Sequence, residues 1–333
     1  MVFKIQEETR LSSLRAASAS SDTSAIIVAA GSSERFNIER RLQESRASEP
    51  AAPSALFSPS SPALPDFDHL KIPDCADEIT APGEEASTQG AHQVAASKYS
   101  EGDDGEDPSF SKTLAPLSGM PLIAWSVLAA DAAPSIAEII LVVRGEDLAE
   151  VKRIVAGLPT VVPIVLAQGG KTRQESVRHG LGAVNPLHHF VTILDGARPL
   201  VTSDTIEATI RSLRLRKELA GVVAGFPSVD TLKVVDSDDM VCGTPDRDRY
   251  WCIQTPQTFR KADLRDAHTL ATSIGLEGTD DASLVENAGK SIGCLDLQRD
   301  NIKVTLPMDL VIAEALLASR KKNDRAQQSR RGL

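Results

Sequence analysis

Aromatic side chains are scarce in this 333-residue chain, at 4%, while Ala, Val, Ile and Leu abound, which suits helices packed on a buried parallel sheet better than a β-sandwich. Cysteine is sparse too. Cys75, Cys242, Cys252 and Cys294 stand far apart with no C-x-x-C pair, so neither a zinc site nor a disulfide framework is expected, and a reducing compartment fits. An uninterrupted apolar segment is missing near the start, where Lys4, Glu7, Glu8 and Arg10 mix with many serines. That excludes a signal peptide or membrane span there, and a cytoplasmic protein without a membrane partner is expected. The adjacent His188 and His189 would point to opposite faces of a strand and make a poor metal pair.

A broad basic face is also absent. The formal net charge is −10, and residues 37–110 alone carry fifteen acidic against five basic residues, which accounts for all of it. The remainder is close to neutral, so no nucleic-acid partner is expected and no general field repels an anionic substrate. Recognition of an anion falls to local cations. With 41% hydrophobic and 25% charged residues the chain has enough apolar content for a large core.

Residues 37–110 are rich in Ser, Pro, Ala, Asp and Glu, lack a sustained period of 2 or 3.6, and include the acidic run Glu101 to Asp107. They read as a disordered acidic insertion, an unstructured tether or a carrier of short motifs for an unknown partner. Residues 1–23 and the basic residues 320–333 read as flexible tails. Residues 24–36 and 111–319 then form one domain of alternating strands and helices, an α/β fold with a mostly parallel sheet. The expected strands are Ala25 to Ala29, Glu138 to Val143, Val162 to Leu166, Phe190 to Leu194, Gly221 to Ala224 and Ser291 to Leu297. Helices are expected at Pro121 to Ala130, Glu146 to Ala156, Thr172 to Ala183, after Ser203, at Asp280 to Gly289 and at Leu310 to Ala318. From about 229 to 252 the pattern breaks into short β-like pieces, Thr231 to Val235 and Tyr250 to Gln254, which suggests a projecting hairpin arm. A hairpin with so little core of its own is rarely stable alone, so packing on a second subunit is expected.

Several segments carry residues suited to chemistry. The first strand runs into Ala29-Ala30-Gly31-Ser32-Ser33-Glu34-Arg35, where small side chains let backbone N–H groups approach an anion and Arg35 can reach it. No G-K-[ST] follows, and the glycine spacing of a dinucleotide fingerprint is lacking; a plain strand-to-helix turn explains the same residues. Asp195 directly follows an apolar strand, at the sheet edge where open α/β folds bind ligands, and a lone carboxylate there suits magnesium, which keeps its waters and takes phosphate oxygens. A turn-forming Asp is the simpler alternative. Gly169-Gly170-Lys171-Thr172-Arg173 with Ser176 opens a helix with N–H donors, a hydroxyl and a guanidinium. Lys303, on an otherwise apolar segment, needs an anionic partner or an escape to water. Lys112 and Arg247 are further cations, which solvent alone would satisfy.

Taken together, Ala29-Ala30-Gly31 with Arg35, Gly170 to Ser176, Asp195-Gly196-Ala197-Arg198-Pro199, Asp230-Thr231, Asp246-Arg247, Thr255-Pro256-Gln257, Thr279-Asp280-Asp281-Ala282-Ser283 and Asn301 to Thr305 resemble the 2-C-methyl-D-erythritol 4-phosphate cytidylyltransferase family in order and spacing. The resemblance covers residues 24–36 and about 111–318. It implies a Rossmann-like nucleotidyltransferase fold with helices on both sheet faces, a homodimer joined through the β-arm, and a place in non-mevalonate isoprenoid synthesis. Carried over by position, Ala29, Ala30 and Gly31 approach CTP, and Arg35 and Lys112 meet its phosphates. Gly170, Arg173, Ser176 and Gly196 bind the nucleotide, and Asp195 holds Mg²⁺. Thr231 and Arg247 of a second subunit, with Thr255 and Lys303, bind the sugar-alcohol phosphate. Two departures stand out: Ser33 replaces a second glycine, and Ser111-Lys112-Thr113 replaces Pro-Lys-Gln. The rival expectations are a sister enzyme using another acceptor such as ribitol 5-phosphate, and a non-catalytic nucleotide-binding scaffold.

Overall fold

A computed structural model describes residues 21–31, 33–48 and 111–331 of the chain. Contacts divide these into two units, one of residues 21–48, 111–230 and 246–331 and a smaller one represented by Thr231–Pro245.

The larger unit begins with β1 (Thr23–Ala29) and α1 (Glu34–Ser48). A small hairpin of β2 (Pro116–Leu117) and β3 (Met120–Pro121) leads into α2 (Leu122–Asp131), β4 (Ile136–Val143), α3 (Leu148–Ala156) and β5 (Ile164–Gln168). Then follow α4 (Arg173–Ala183), β6 (Phe190–Asp195), α5 (Ser203–Leu215) and β7 (Gly221–Pro227). The smaller unit is an antiparallel ribbon of β8 (Val234–Val235) and β9 (Val241–Gly243), turned by Asp236, whose Oδ1 accepts from the N–H groups of Asp238 and Met240. The chain re-enters the larger unit with β10 (Trp251–Arg260), α6 (Lys261–Ile274), α7 (Asp281–Asn287), β11 (Ile292–Asp296) and α8 (Pro307–Arg331).

The main sheet has the order β11-β7-β10-β6-β1-β4-β5. Its strands run parallel except β10, which is antiparallel to both β6 and β7. Alternation along each strand divides the core between two faces. Ala25, Ile27, Ile139 and Leu141 pack with Ile123 and Val127 of α2 and Ile206 and Ile210 of α5 on one face. Ile26, Ile140 and Val142 pack with Val177 and Leu181 of α4 and Leu264 and Ala267 of α6 on the other. A third cluster joins Phe36 of α1, Leu117, Leu122 and Val304 to Ala313 and Leu317 of α8. Among the described residues no helix is long and apolar enough to cross a membrane.

Helix starts follow local chemistry. Thr172, Thr202 and Asp280 each accept a backbone N–H three residues on, at the starts of α4, α5 and α7. Glu175 adds an acceptor for the Lys171 N–H, so the entrance to α4 is fixed from both sides.

The expected strands and helices are present with boundaries shifted by a few residues, and five expectations need correction. The segment 37–110 does not begin as disorder, because α1 runs to Ser48; Phe36 anchors the helix in the third cluster and Glu, Arg and Gln are good helix formers. Residues 49–110 lie outside the described residues. The tail from 320 is helical to Arg331, with Arg320 donating to Asp300 and to the Leu200 carbonyl. Thr23, assigned to the N-terminal tail, is buried in β1; residues 1–20 are not described. Of the expected piece Tyr250 to Gln254, Trp251 onward is not arm but the start of β10, whose later half is polar yet buried. There Thr258 stands between Thr192 and Thr209 at 2.9 and 2.8 Å, so a hydroxyl chain satisfies what the hydrophobic pattern hides. His188 and His189 precede β6 in a loop rather than a strand, and His188 Nδ1 lies 2.8 Å from Ser24 Oγ.

Candidate active site

Parallel strands end together at one sheet edge. Val28 of β1 is in register with Asp195 of β6, and Val143 of β4 with Gln168 of β5. The edge is tied by backbone bonds just past the strands: Gly196 N–H donates to the Val28 carbonyl and Gly169 N–H to the Val143 carbonyl, both at 2.8 Å. Gly196 allows this approach, since a Cβ there would lie 3.0 Å from Ala29 Cβ and 3.2 Å from the Val28 oxygen. Gly170 is likewise closed to a side chain, which would collide with Glu175 at 2.2 Å, and its N–H donates to Ser176 Oγ.

A cavity of about 320 Å³ opens at this edge, lined by Ala29, Ala30 and Gly31, by Lys112 and Thr113, by Lys171, Thr172, Arg173 and Ser176, and by Asp195, Ala197 and Lys303. Residues from five separate stretches of sequence converge, as expected at the carboxyl edge of an open α/β sheet. Four cations face one carboxylate in this lining, so the cavity is built for a polyanion.

Asp195 is the hub. Lys303 Nζ lies 3.1 Å, Arg198 Nε 3.4 Å and Arg173 Nε 3.7 Å from its carboxylate. Burial pushes this carboxyl up, and Lys303, Arg173 and Arg198 outweigh burial, holding it below the usual carboxylate range. Its backbone N–H donates to Thr255 Oγ1 at 3.0 Å, and Asn301 Nδ2 donates to the Thr255 carbonyl at 2.8 Å, so β10 and the 301–304 segment brace it from behind. Lys112 is itself held below the ordinary lysine value by burial, with Lys303 and Arg35 adding repulsion against the pull of Asp195 and Asp309. An anion brought to the cavity would relieve that repulsion.

Arg173 carries a second support. Its Nη1 donates to Asp281 at 2.8 Å, and Asp281 faces His268 Nε2 at 3.1 Å. The Asp281 side chain is 1% exposed; burial pushes its carboxyl up, but Arg173 and His268 prevail and hold it low. Nothing in the sequence assigns a role to Asp281, His268, Arg198 or Asn301, because each acts through another residue. Asp281 stands 108 residues from its partner, so no spacing rule points to the pair.

Of the residues singled out in the sequence, Ala29, Ala30, Gly31, Lys112, Arg173, Ser176, Asp195 and Lys303 line this one cavity. Gly170, Gly196 and Thr255 support it from just outside. Arg35, in the first turn of α1, is exposed and close enough to repel Lys112. Arg247 does not line the cavity; it is exposed in a short 3₁₀ turn with Nη1 donating to the Val229 carbonyl. Thr231 is exposed in the smaller unit. Among the described residues no three His, Cys, Asp or Glu side chains gather into a metal-holding group.

Comparison with known proteins matches residues 106–319 to the family model described as 2-C-methyl-D-erythritol 4-phosphate cytidylyltransferase. Proteins of that name from Nostoc punctiforme and from a Synechococcus species are 40% and 43% identical to this chain, each over 210 residues, which is 63% of this chain and 91% of the relative. The crystal structure of the protein of that name from Thermus thermophilus superimposes with a TM-score of 0.52 at 29% identity, covering 62% of this chain and 94% of that one. The span matched by the family model begins after β1; the cavity joins Ala29 to Gly31 to it.

Proposed function

The chain belongs to the 2-C-methyl-D-erythritol 4-phosphate cytidylyltransferase family, and from that membership and the cavity we propose that it transfers CMP from CTP to 2-C-methyl-D-erythritol 4-phosphate, releasing pyrophosphate. The observation that carries this reading is the convergence of Lys112, Lys171, Arg173 and Lys303 around Asp195 in one cavity. The reaction is a step of non-mevalonate isoprenoid precursor synthesis.

An oxygen of the acceptor phosphate attacks the α-phosphorus of CTP; the new P–O bond forms as the bond to the bridging oxygen breaks, and that electron pair leaves with pyrophosphate. No side-chain base is needed, since a phosphate monoester with a second pKa of about 6 is already largely a dianion at neutral pH. The obstacle is repulsion between two polyanions. Lys112 and Lys303 offset charge on the α-phosphate, and Arg35, at the mouth, meets the outer phosphates. The backbone of Ala29 to Gly31 approaches the triphosphate, while Gly170, Arg173, Ser176 and Gly196 hold and shape the nucleotide site. Lys303 and Thr255 belong to the acceptor side, completed by Thr231 and Arg247 of a second copy in a homodimer joined through the 231–245 ribbon.

Asp195 is the residue that would hold Mg²⁺. The fit is good for an ion that takes one carboxylate and keeps water and phosphate oxygens, because the cavity offers a single lining carboxylate whose nearest cation, Lys303, is 43% exposed. Bound there with the nucleotide, the ion would neutralise phosphate charge. A cytoplasmic location fits the three free cysteines among the described residues.

Incubation with CTP, Mg²⁺ and one acceptor at a time, following pyrophosphate release, tests the proposal. Turnover with 2-C-methyl-D-erythritol 4-phosphate is expected. Preference for ribitol 5-phosphate would reassign the acceptor, and CTP binding without turnover on either would make the chain a scaffold.

A further inference from the structure

We infer that Ser33 is a positioning residue whose hydroxyl holds Lys112 at the cavity; the inference rests on the role proposed for Lys112. Ser33 has φ +60°, in the left-handed region where the Cβ of an L residue crowds the backbone. Glycine occupies such a position without that crowding, so a side chain here needs a contact that offsets it. Ser33 has one. It is buried, and its Oγ accepts from the Lys112 backbone N–H at 3.1 Å while its own O–H faces the Gly31 carbonyl at 3.5 Å. A single hydroxyl therefore touches both the loop after β1 and the residue across the cavity mouth.

Covalent connection does not do this work. Seventy-nine positions separate Ser33 from Lys112, so nearness in sequence does not bring them together. Lys112 also has reason to leave, since burial and the nearby charges of Lys303 and Arg35 act against its ammonium group. A bond to the backbone N–H fixes the residue while leaving Nζ free for phosphate. The same stretch is braced on its other side, where the buried Ser111 Oγ and Thr113 Oγ1 lie 2.9 Å apart and Ala115 N–H donates to the Lys112 carbonyl at 3.0 Å.

The test is a double-mutant cycle in the full-length protein with CTP, Mg²⁺ and 2-C-methyl-D-erythritol 4-phosphate. Ser33→Ala keeps the Cβ and removes the hydroxyl; Ser33→Gly removes the crowding as well and guards against a variant that fails to fold. Each is expected to lower kcat about tenfold, as small displacements of a reacting group do, with KM for CTP little changed. In a Lys112→Ala background neither should slow turnover further. Full activity of Ser33→Gly beside a slow Lys112→Ala, or losses that multiply in the double mutant, would overturn the inference and leave the role of Lys112 standing. A Lys112→Ala protein as fast as wild type would instead remove the role of Lys112, and the inference with it.

Discussion

Asp281 offers the sharpest single perturbation, because it bears on Arg173 without lining the cavity. Asp281→Asn keeps the shape of the side chain and removes the charge that Arg173 meets at 2.8 Å and His268 at 3.1 Å. At an effective dielectric constant of about 20 the gross attraction across 2.8 Å is about 6 kcal/mol. Desolvation of both partners offsets part of it, and unpairing a buried ion costs about 3–5 kcal/mol. Arg173 is 29% exposed, so water takes up some of the orphaned charge and the lower bound of about 3 kcal/mol applies. For a domain of this size that lowers Tm by about 6–12 °C. Arg173 also loses its outer tether, so KM for CTP should rise about tenfold, the equivalent of about 1.4 kcal/mol. Scanning calorimetry and steady-state kinetics on the purified variant read both. A Tm within about 2 °C of wild type, or a lower Tm with unchanged KM for CTP, would refute the reasoning at the stability or the functional step respectively.

Lys112→Ala should lower kcat about 10²-fold or more with little change in Tm, since one preorganised contact to developing charge is often worth that much; unchanged turnover removes it from the mechanism. Arg247→Ala should raise KM for the sugar-alcohol phosphate, and an effect confined to CTP would detach it from the acceptor side. Chelation with EDTA should abolish turnover, and Asp195→Asn should raise the Mg²⁺ concentration for half-maximal rate; an unaltered Mg²⁺ dependence frees Asp195 of that role. Asp195 and Asp281 both lie below the ordinary carboxyl value of 3.8 in the fold, so the stability they contribute is fully present above about pH 4 and fades as pH falls through their folded values. Tm should therefore drop steeply in acid for wild type and less steeply for Asp281→Asn. Because Lys112 is held below 10.5, kcat/KM should fall on the alkaline side before a free lysine would lose its proton, and Lys112→Arg should move that limb upward.

The sheet was legible where apolar runs are strong: β1, β4 and β6 read directly as strands, and Asp195 read as a ligand-edge carboxylate because it terminates one of them. The cavity itself was legible through short polar motifs at strand ends. What escaped was polar structure. β10 buries Gln254, Thr255, Gln257 and Thr258, which carry no hydrophobic period, and it runs antiparallel in a sheet whose other connections suggest parallel strands. The helix Glu34–Ser48 hides in a charged stretch because a single buried aromatic, Phe36, anchors it. The supports of Arg173 and Asp195 escaped for another reason: Asp281 and Asn301, and Thr255 as a brace of Asp195 beyond the acceptor-side role expected of it, matter through contacts spanning 46 to 108 positions, which only the fold reveals.

A crystal structure of the protein with CTP and Mg²⁺ tests the central claim most directly. The triphosphate should lie between the Ala29–Gly31 backbone and the Lys112 and Lys303 ammonium groups, with the metal against Asp195. Nucleotide bound elsewhere, with both lysines turned to solvent, would contradict it.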